Sequence, residues 1–368
     1  MPVIINGSTG ITFPDNSQQY NSYYGFKNRI INGAMVIDQR YAGAAWGTSI
    51  NGYCVDRWIC YQTVTGKING GQNYNSITPP AGFSSYIGVQ SQSAYSVGSS
   101  DYYAFRQIVE GNNVADLSWG TASAQAITIS FWVRSSLTGT FGGALQNSAG
   151  NRSYAFTYTI SAANTWEQKS VTIAGDTSGT WLTTNGAGVY VTFGFGVGST
   201  FSGTAGSWGA TPYLSATGAT SVVGTNGATF YITGVQLEEG TQATSFDFRP
   251  YGTELALCYR YYYRQTPGLS GRFCLAYNAA TTYALGLLPF PVTMRTAPSA
   301  LEQTGTASNY GISYLATAQT CSSVPAFSSA TADSAFFAFT VPSGLTAGQA
   351  ASLFSNAAAG YLGFSAEL

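Results

Sequence analysis

Alternation of apolar and polar residues with a period of two runs through most of this chain. In "AITISFWVR", Ile127, Ile129, Phe131 and Val133 point one way and Thr128, Ser130, Trp132 and Arg134 the other. "SYAFTYTI" repeats the pattern with Tyr154, Phe156, Tyr158 and Ile160, and "GVYVTFGFGVG" with Val189, Val191, Phe193, Phe195 and Val197. "TFYITGVQLEEG" reads as a further strand. Successive side chains of a strand face opposite ways, so each run predicts a strand with one buried face. Gly-, Ser- and Thr-rich turns lie between the runs. Strands this regular predict an all-β fold, a sandwich or jelly roll over 26–250. Residues 269–368 return to β-type patterning and predict a smaller C-terminal β-domain, a tip.

One stretch breaks the pattern. In "YGTELALCYRYYYR", residues 251–264, Leu255, Cys258, Tyr259 and Tyr262 fall at i, i+3, i+4 and i+7, the period of one helix face. Pro250 and Gly252 precede it, Thr253 can cap it, and Pro267-Gly268 stop it, which predicts a helical linker over 251–268. A strand with aromatic faces is the other reading of so short a run. Residues 1–25 are too short and polar for a core of their own. Gly7, Gly10, Pro14 and Asp15 cut them into short extended pieces. They are expected to attach and intertwine, several copies burying Ile4, Ile11 and Phe13 between chains.

Charged residues make up only 8%, against ~25% in ordinary soluble domains, and the net charge is −1. No broad field therefore draws the chain to nucleic acid or to an acidic membrane. The start, "MPVIINGSTG", lacks the basic and apolar regions of a signal peptide, and no run approaches the ~20 apolar residues of a membrane span. Synthesis in a cytosol with no membrane insertion is expected. The Gly-, Ser-, Thr-, Tyr- and Asn-rich composition nevertheless suits an outward-facing protein, and assembly into a virus particle released by lysis reconciles the two. If "CVDRWIC" is a single strand, Cys54 and Cys60 lie ~20 Å apart, beyond the ~7 Å that a disulfide allows. With five cysteines and no Cys-x-x-Cys, reduced and mostly buried thiols are expected.

The chain has no His, which removes the commonest general base and metal ligand at neutral pH. Glu238 and Glu239 are adjacent on a predicted strand and face opposite ways, so they cannot form the ~5–9 Å carboxylate pair of a glycosidase. No catalytic residue is assigned, and a non-enzyme is expected. "GFGVG", Gly194 to Gly198, lies inside a predicted strand with no helix after it, so it is read as a bare strand face and not as a phosphate loop. No cofactor and no metal is expected. Calcium alone stays open, with Asp101 and Asp176 in loop-like settings, beside the plainer reading of solvated turn residues.

What remains is aromatic. The chain has 26 Tyr, 21 Phe and 7 Trp, more than a core needs. Trp46, Trp119, Trp208, Tyr213, Tyr310 and Tyr314 sit in Gly/Ser-flanked, loop-like places. Tyr offers rigid contact area at low entropic cost, and ring faces bordered by hydroxyls suit a sugar, whose own ring face is apolar. From Thr296 onward there is no Lys or Arg, which fits neutral glycan better than phosphate. The glycan-binding candidates are Tyr310 and Tyr314 in the tip, then Trp208 and Tyr213 in the larger domain. The competing reading of each ring is strand packing or an inter-chain core.

"NRIINGAMVIDQRYAG" (28–43), "YCVDRW" (53–58), "NTWEQKSVTIAGDTSGTW" (164–181) and "TGVQLEEGTQATSFDFRPYGTELALCYRYYYR" (233–264) together resemble a domain recurrent in bacteriophage tail-fibre and receptor-binding proteins. That domain is a jelly roll like carbohydrate-binding modules, followed by an exit helix. "MPVIINGSTGITFPD" (1–15) and "YLGFSAEL" (361–368) resemble phage-fibre termini. The resemblance implies a homotrimer in the virion tail, assembled in the host cytoplasm. It implies docking to another tail or baseplate protein through residues 1–25, and recognition of bacterial surface polysaccharide or lipopolysaccharide without cleavage. It transfers no binding residue. A structural fibre or a head or baseplate decoration protein without glycan binding, and a polysaccharide depolymerase, are the alternative expectations.

Overall fold

A computed structural model describes residues 27–315 and 317–368, together with the backbone of three short strands, Ile4–Asn6, Gly10–Thr12 and Gln18–Gln19. Those strands pair antiparallel in that order. The expected burial of Ile4, Ile11 and Phe13, and the attachment role of residues 1–25, lie outside the described residues. The chain divides into two compact units, Met1–Pro250 and Tyr251–Leu368.

The first unit is a jelly-roll β-sandwich. One sheet runs, edge to edge, Trp208–Gly209, Ser153–Ile160, Gly139–Gln146, Ala187–Val197, Tyr102–Glu110, Trp58–Gln62 and Gly52–Val55. The other runs Glu167–Ile173, Ile127–Ser135, Thr229–Glu239, Ile87–Ser91 and Ile68–Gln72. The inward residues of the two sheets meet in one core. Ile127, Ile129, Phe131 and Val133 of one sheet and Phe156, Tyr158, Val189, Val191, Phe193 and Phe195 of the other are all buried in it, as the alternation predicts. Aromatic rings join the layers: Phe131 lies 4.9 Å from both Tyr158 and Phe193, and Phe195 lies 5.8 Å from Phe230.

Two glycine sites explain how other segments approach the sheets. Gly142 and Gly194 are paired across neighbouring strands, and a Cβ on either would meet Ser215 within 2.4–3.1 Å. The segment Ser215–Ala216 therefore lies directly on the bare face that "GFGVG" predicts. On the other sheet, the ring of Tyr231 fills the space above Gly88, where a Cβ would come within 2.2 Å of it.

"CVDRWIC" is not a single strand. Gly52–Val55 and Trp58–Gln62 form a tight hairpin, with Arg57 at φ 71 in the turn. The spacing argument for Cys54 and Cys60 fails with that assumption, because a two-residue turn folds the run back on itself. Both residues are nonetheless free and fully buried, and burial pushes their thiols well above the ordinary range.

The second unit opens with the helix Tyr251–Tyr259. It is shorter than the expected 251–268, because Tyr262–Gln265 is extended and pairs antiparallel with Leu362–Ser365. The main sheet of this unit runs Thr317–Thr320, Tyr310–Tyr314, Ala350–Ser355, Arg272–Asn278, Tyr283–Pro289, Ser334–Thr340 and Ala326–Ala330. One face carries a core of its own built from Phe273, Tyr310, Ile312, Phe337, Phe339 and Leu353 among others. The opposite face is apolar and open. Leu275 is 82% exposed, Leu287 52% and Tyr277 47%. Leu285 and Ala338 lie beside Tyr277 in register, and Phe336 lies opposite Leu287.

Candidate functional site

The outer face of the seven-stranded sheet is made by the residues that alternate with the core. On Tyr102–Glu110, Tyr103, Phe105 and Val109 enter the core, which leaves Tyr102, Ala104 and Arg106 outward. On Ala187–Val197 the buried valines and phenylalanines leave Tyr190 and Thr192 outward. Register then fixes the neighbours. Ile59, Arg106, Thr192 and Ala144 form one row across four strands. Tyr61, Ala104 and Gly194 form the row on one side of it, and Ile108, Tyr190 and Gln146 the row on the other.

Arg106 therefore lies between two tyrosines. Its guanidinium carbon is 5.3 Å from the ring centre of Tyr61 and 5.0 Å from that of Tyr190, both within the ~6 Å reach of a cation–π contact. Its Nε donates to Thr192 Oγ1 at 3.0 Å, and one terminal nitrogen donates to Gln146 Oε1 at 2.8 Å. Tyr102 meets Tyr61 edge-on at 6.0 Å and Phe201 at 5.3 Å, which extends the aromatic surface. Tyr61, Tyr102, Arg106, Tyr190 and Phe201 are all half-buried. Burial lowers the pKa of the Arg106 guanidinium. Burial also raises the Tyr61 hydroxyl, and the nearby guanidinium opposes that rise. The group can hold a flat, hydroxyl-bearing ligand against ring faces, and none of its side chains is a carboxylate, a thiol or an imidazole.

The four candidates named from sequence lie elsewhere. Tyr310 is fully buried in the core of the second unit. Its hydroxyl donates to the Tyr361 carbonyl at 2.8 Å and accepts from the Thr304 N–H at 2.9 Å. Tyr314 is 8% exposed in the same core. Both sit at inward positions of Tyr310–Tyr314, so neither can offer a ring face to a sugar. The Gly/Ser flanks that suggested loops belong to a strand whose one face is buried. Trp46 and Trp119 are likewise core residues.

Trp208 is half-buried at the sheet edge. Its Nε1 donates to the Ala174 carbonyl at 2.7 Å, and its ring packs 5.4 Å from Trp119, 5.4 Å from Trp181 and 5.3 Å from Tyr154. The half-buried Tyr213 ring fills the space above Gly203. Among the described residues, neither makes a ring contact with the Tyr61–Arg106–Tyr190 group.

The acids are tied into the scaffold. Glu238 is buried and accepts from the Gln236 amide, the Thr244 N–H and the Thr244 hydroxyl, which fastens the segment after the last strand. Asp176 accepts from Arg152 Nε at 2.7 Å and from a terminal nitrogen at 2.6 Å. Asp101 accepts from Tyr95 and Thr63 hydroxyls and the Gly98 N–H, and the Tyr95 bond foremost holds its carboxyl below the ordinary range. Among the described residues, no three His, Cys, Asp or Glu side chains gather as a metal site.

No family model matches the chain, and no curated protein matches it. Solved structures give three instructive likenesses. The enzymatically active domain of bacteriophage CBA120 tailspike protein 4 matches at 13% identity and a TM-score of 0.32, over 58% of this chain and 22% of that one. The chain thus spans about a fifth of the tailspike it resembles. TmCBM61, solved with β-1,4-galactotriose, matches at 10% identity and a TM-score of 0.31, over 58% of this chain and 100% of that one. The family 11 carbohydrate-binding module of Clostridium thermocellum, solved with a β-1,3-1,4-mixed-linked tetrasaccharide, matches at 10% identity and a TM-score of 0.27, over 51% and 92%.

Proposed function

We propose that this protein is an adhesive fibre of a bacteriophage particle that grips bacterial surface glycan without cutting it. The observation that carries the binding reading is the outer face of the seven-stranded sheet. There Tyr61, Tyr102 and Tyr190 present half-buried rings around Arg106, with Thr192 and Gln146 as polar neighbours. Rings fixed on strands lose little entropy when a ligand settles on them. The phage assignment rests on the sequence stretches at 28–43, 164–181 and 233–264, and it brings with it a virion location and attachment through residues 1–25. No cofactor enters the reading. The groups around Arg106 supply hydrogen bonds and ring faces but no nucleophile and no general base, which is why binding without cleavage is favoured over depolymerisation.

An array of bacterial surface polysaccharides, followed by calorimetric titration with the oligosaccharide that binds, tests the proposal. Tyr61→Ala and Tyr190→Ala should each weaken binding about tenfold, the loss of one well-placed aromatic contact. Binding that survives both changes would remove this face from the reading, and released reducing ends would replace adhesion with cleavage.

Self-association is part of the proposal. Large open apolar surfaces mark interaction sites, and the sheet face bearing Leu275, Tyr277, Leu285, Leu287 and Phe336 is such a surface, with Arg272 lying over the Phe354 ring at its side. Other copies of this chain are its proposed occupants, as a homotrimer. Light scattering should give three times the chain mass, and Leu275→Lys with Leu287→Lys should give the single-chain mass. A monomeric parent would remove the trimer. The same face favours the second reading, a structural fibre whose jelly roll is only scaffold. That reading gains if the intact trimer binds nothing on the array.

A further inference from the structure

We infer that the Tyr61–Arg106–Tyr190 group seats an anionic sugar, a residue whose ring lies against the tyrosines and whose carboxylate meets the guanidinium. This rests on the glycan-binding reading above and names the chemistry of its ligand. The argument begins with what surrounds the charge. Arg106 is a cation drawn into the sheet face, and its partners are all neutral: a threonine hydroxyl, a glutamine amide and two tyrosine rings. Among the described residues no carboxylate pairs with it. Elsewhere in this unit Arg152 pairs with Asp176 and Arg29 with Asp116, so the same sequence supplies an acid where a guanidinium needs only structural support. A half-buried guanidinium without a counter-ion is costly unless something else compensates it.

The donors point the same way. A guanidinium has five N–H groups in a rigid fork. Arg106 uses Nε and one terminal nitrogen within the protein. A further hydrogen bond joins the guanidinium to the Tyr61 hydroxyl, and among the described residues the N–H groups that remain meet no carboxylate, the group whose two oxygens match such a fork with parallel bonds. Those internal bonds to Thr192 and Gln146, with rings on both sides, hold the guanidinium in place before any ligand arrives. Preorganisation of this kind raises affinity by lowering the ordering cost. Tyr61 and Tyr190 flank the charge in the two adjacent rows, so a pyranose lying on either ring places a ring carboxylate near Arg106. A hexuronic acid or a nonulosonic acid has this combination of an apolar ring face and a carboxylate. A neutral hexose offers the fork hydroxyl acceptors but no counter-charge.

The test compares acids with their own neutral counterparts. The full-length protein is titrated with tetragalacturonate and with a sialic acid trimer, each beside its carboxyl-reduced form, and with a phosphorylated hexose oligosaccharide. At least one acid should bind ten times or more tightly than its reduced form, and the preference should shrink as salt rises, because ionic contacts are screened. Arg106→Gln should erase the acid-to-reduced ratio, while Arg106→Lys, which keeps the charge but not the fork, should retain part of it. Equal thermal midpoints for the two variants and the parent assure that folding is not what is read. Equal binding of acids and reduced forms, or a ratio unchanged in Arg106→Gln, overturns the inference while the glycan reading stands. Preference for the phosphorylated sugar alone overturns the carboxylate assignment. Failure to bind any sugar, acidic or neutral, on the array and in these titrations removes both.

Discussion

Replacing Phe193 by alanine is expected to destabilise the jelly roll by about 3–5 kcal/mol, the range for a buried phenylalanine truncated in a core that cannot fully close. Phe193 is fully buried on Ala187–Val197, near the middle of its sheet. Its ring lies 4.9 Å from Phe131 of the opposite sheet, and 6.1 and 6.3 Å from Phe156 and Trp58 of its own. The ring therefore holds contacts on both layers, and its removal opens a void that neither layer can close alone, because each is fixed by its strand pairing. Urea unfolding followed by tryptophan fluorescence measures the loss. Ser207→Ala, at an exposed bend position of the same unit, is the control and should change stability by less than about 0.5 kcal/mol. A loss below about 1 kcal/mol for Phe193→Ala would mean that the two sheets do not depend on this ring.

The core strands were legible in the sequence, and the site was not. Alternation names the inward residues of Ile127–Ser135, Ser153–Ile160 and Ala187–Val197 because burial selects apolar side chains at every second position. The same alternation leaves Tyr190 and Thr192 outward, and "YYAFR" leaves Tyr102 and Arg106 outward. Only register shows that these belong together, since 84 positions separate Arg106 from Tyr190 in the chain and the pairing of Tyr102–Glu110 with Ala187–Val197 brings them side by side. Pairing register is a long-range property and has no local signature. Tyr310 and Tyr314 misled for the opposite reason. Gly311 and Ser313 interrupt them, and small residues between rings read as a loop. They are instead the outward positions of a strand that buries both rings, with Gly311 under the ring of Phe354. The hairpin inside "CVDRWIC" was hidden because its turn uses Asp56 and Arg57, with no glycine to announce the left-handed φ that Arg57 adopts.

The second large effect concerns a charge pair whose two members are unequally buried. Asp176 keeps 2% of its side-chain exposure and Arg152 keeps 20%. Asp176 accepts two bonds from Arg152 and one from the Ser178 N–H. It thereby fastens the loop that carries Trp181, whose ring packs 4.7 Å from Trp119 and 5.4 Å from Trp208. Removing the arginine strands a carboxylate in the interior with one remaining donor. Removing the aspartate frees a guanidinium that can turn to water. Arg152→Met is therefore expected to cost about 3 kcal/mol or more, the penalty for an uncompensated buried charge, and Asp176→Ala distinctly less. The double replacement Arg152→Met with Asp176→Leu removes both charges and should be more stable than Arg152→Met alone, because no buried ion is left without a partner. Thermal unfolding of the three variants gives the order directly. Equal losses for Arg152→Met and Asp176→Ala would show that the pair contributes through mutual attraction alone. The asymmetry in burial, which makes the carboxylate dependent on the arginine but not the reverse, would then have no part in holding the loop.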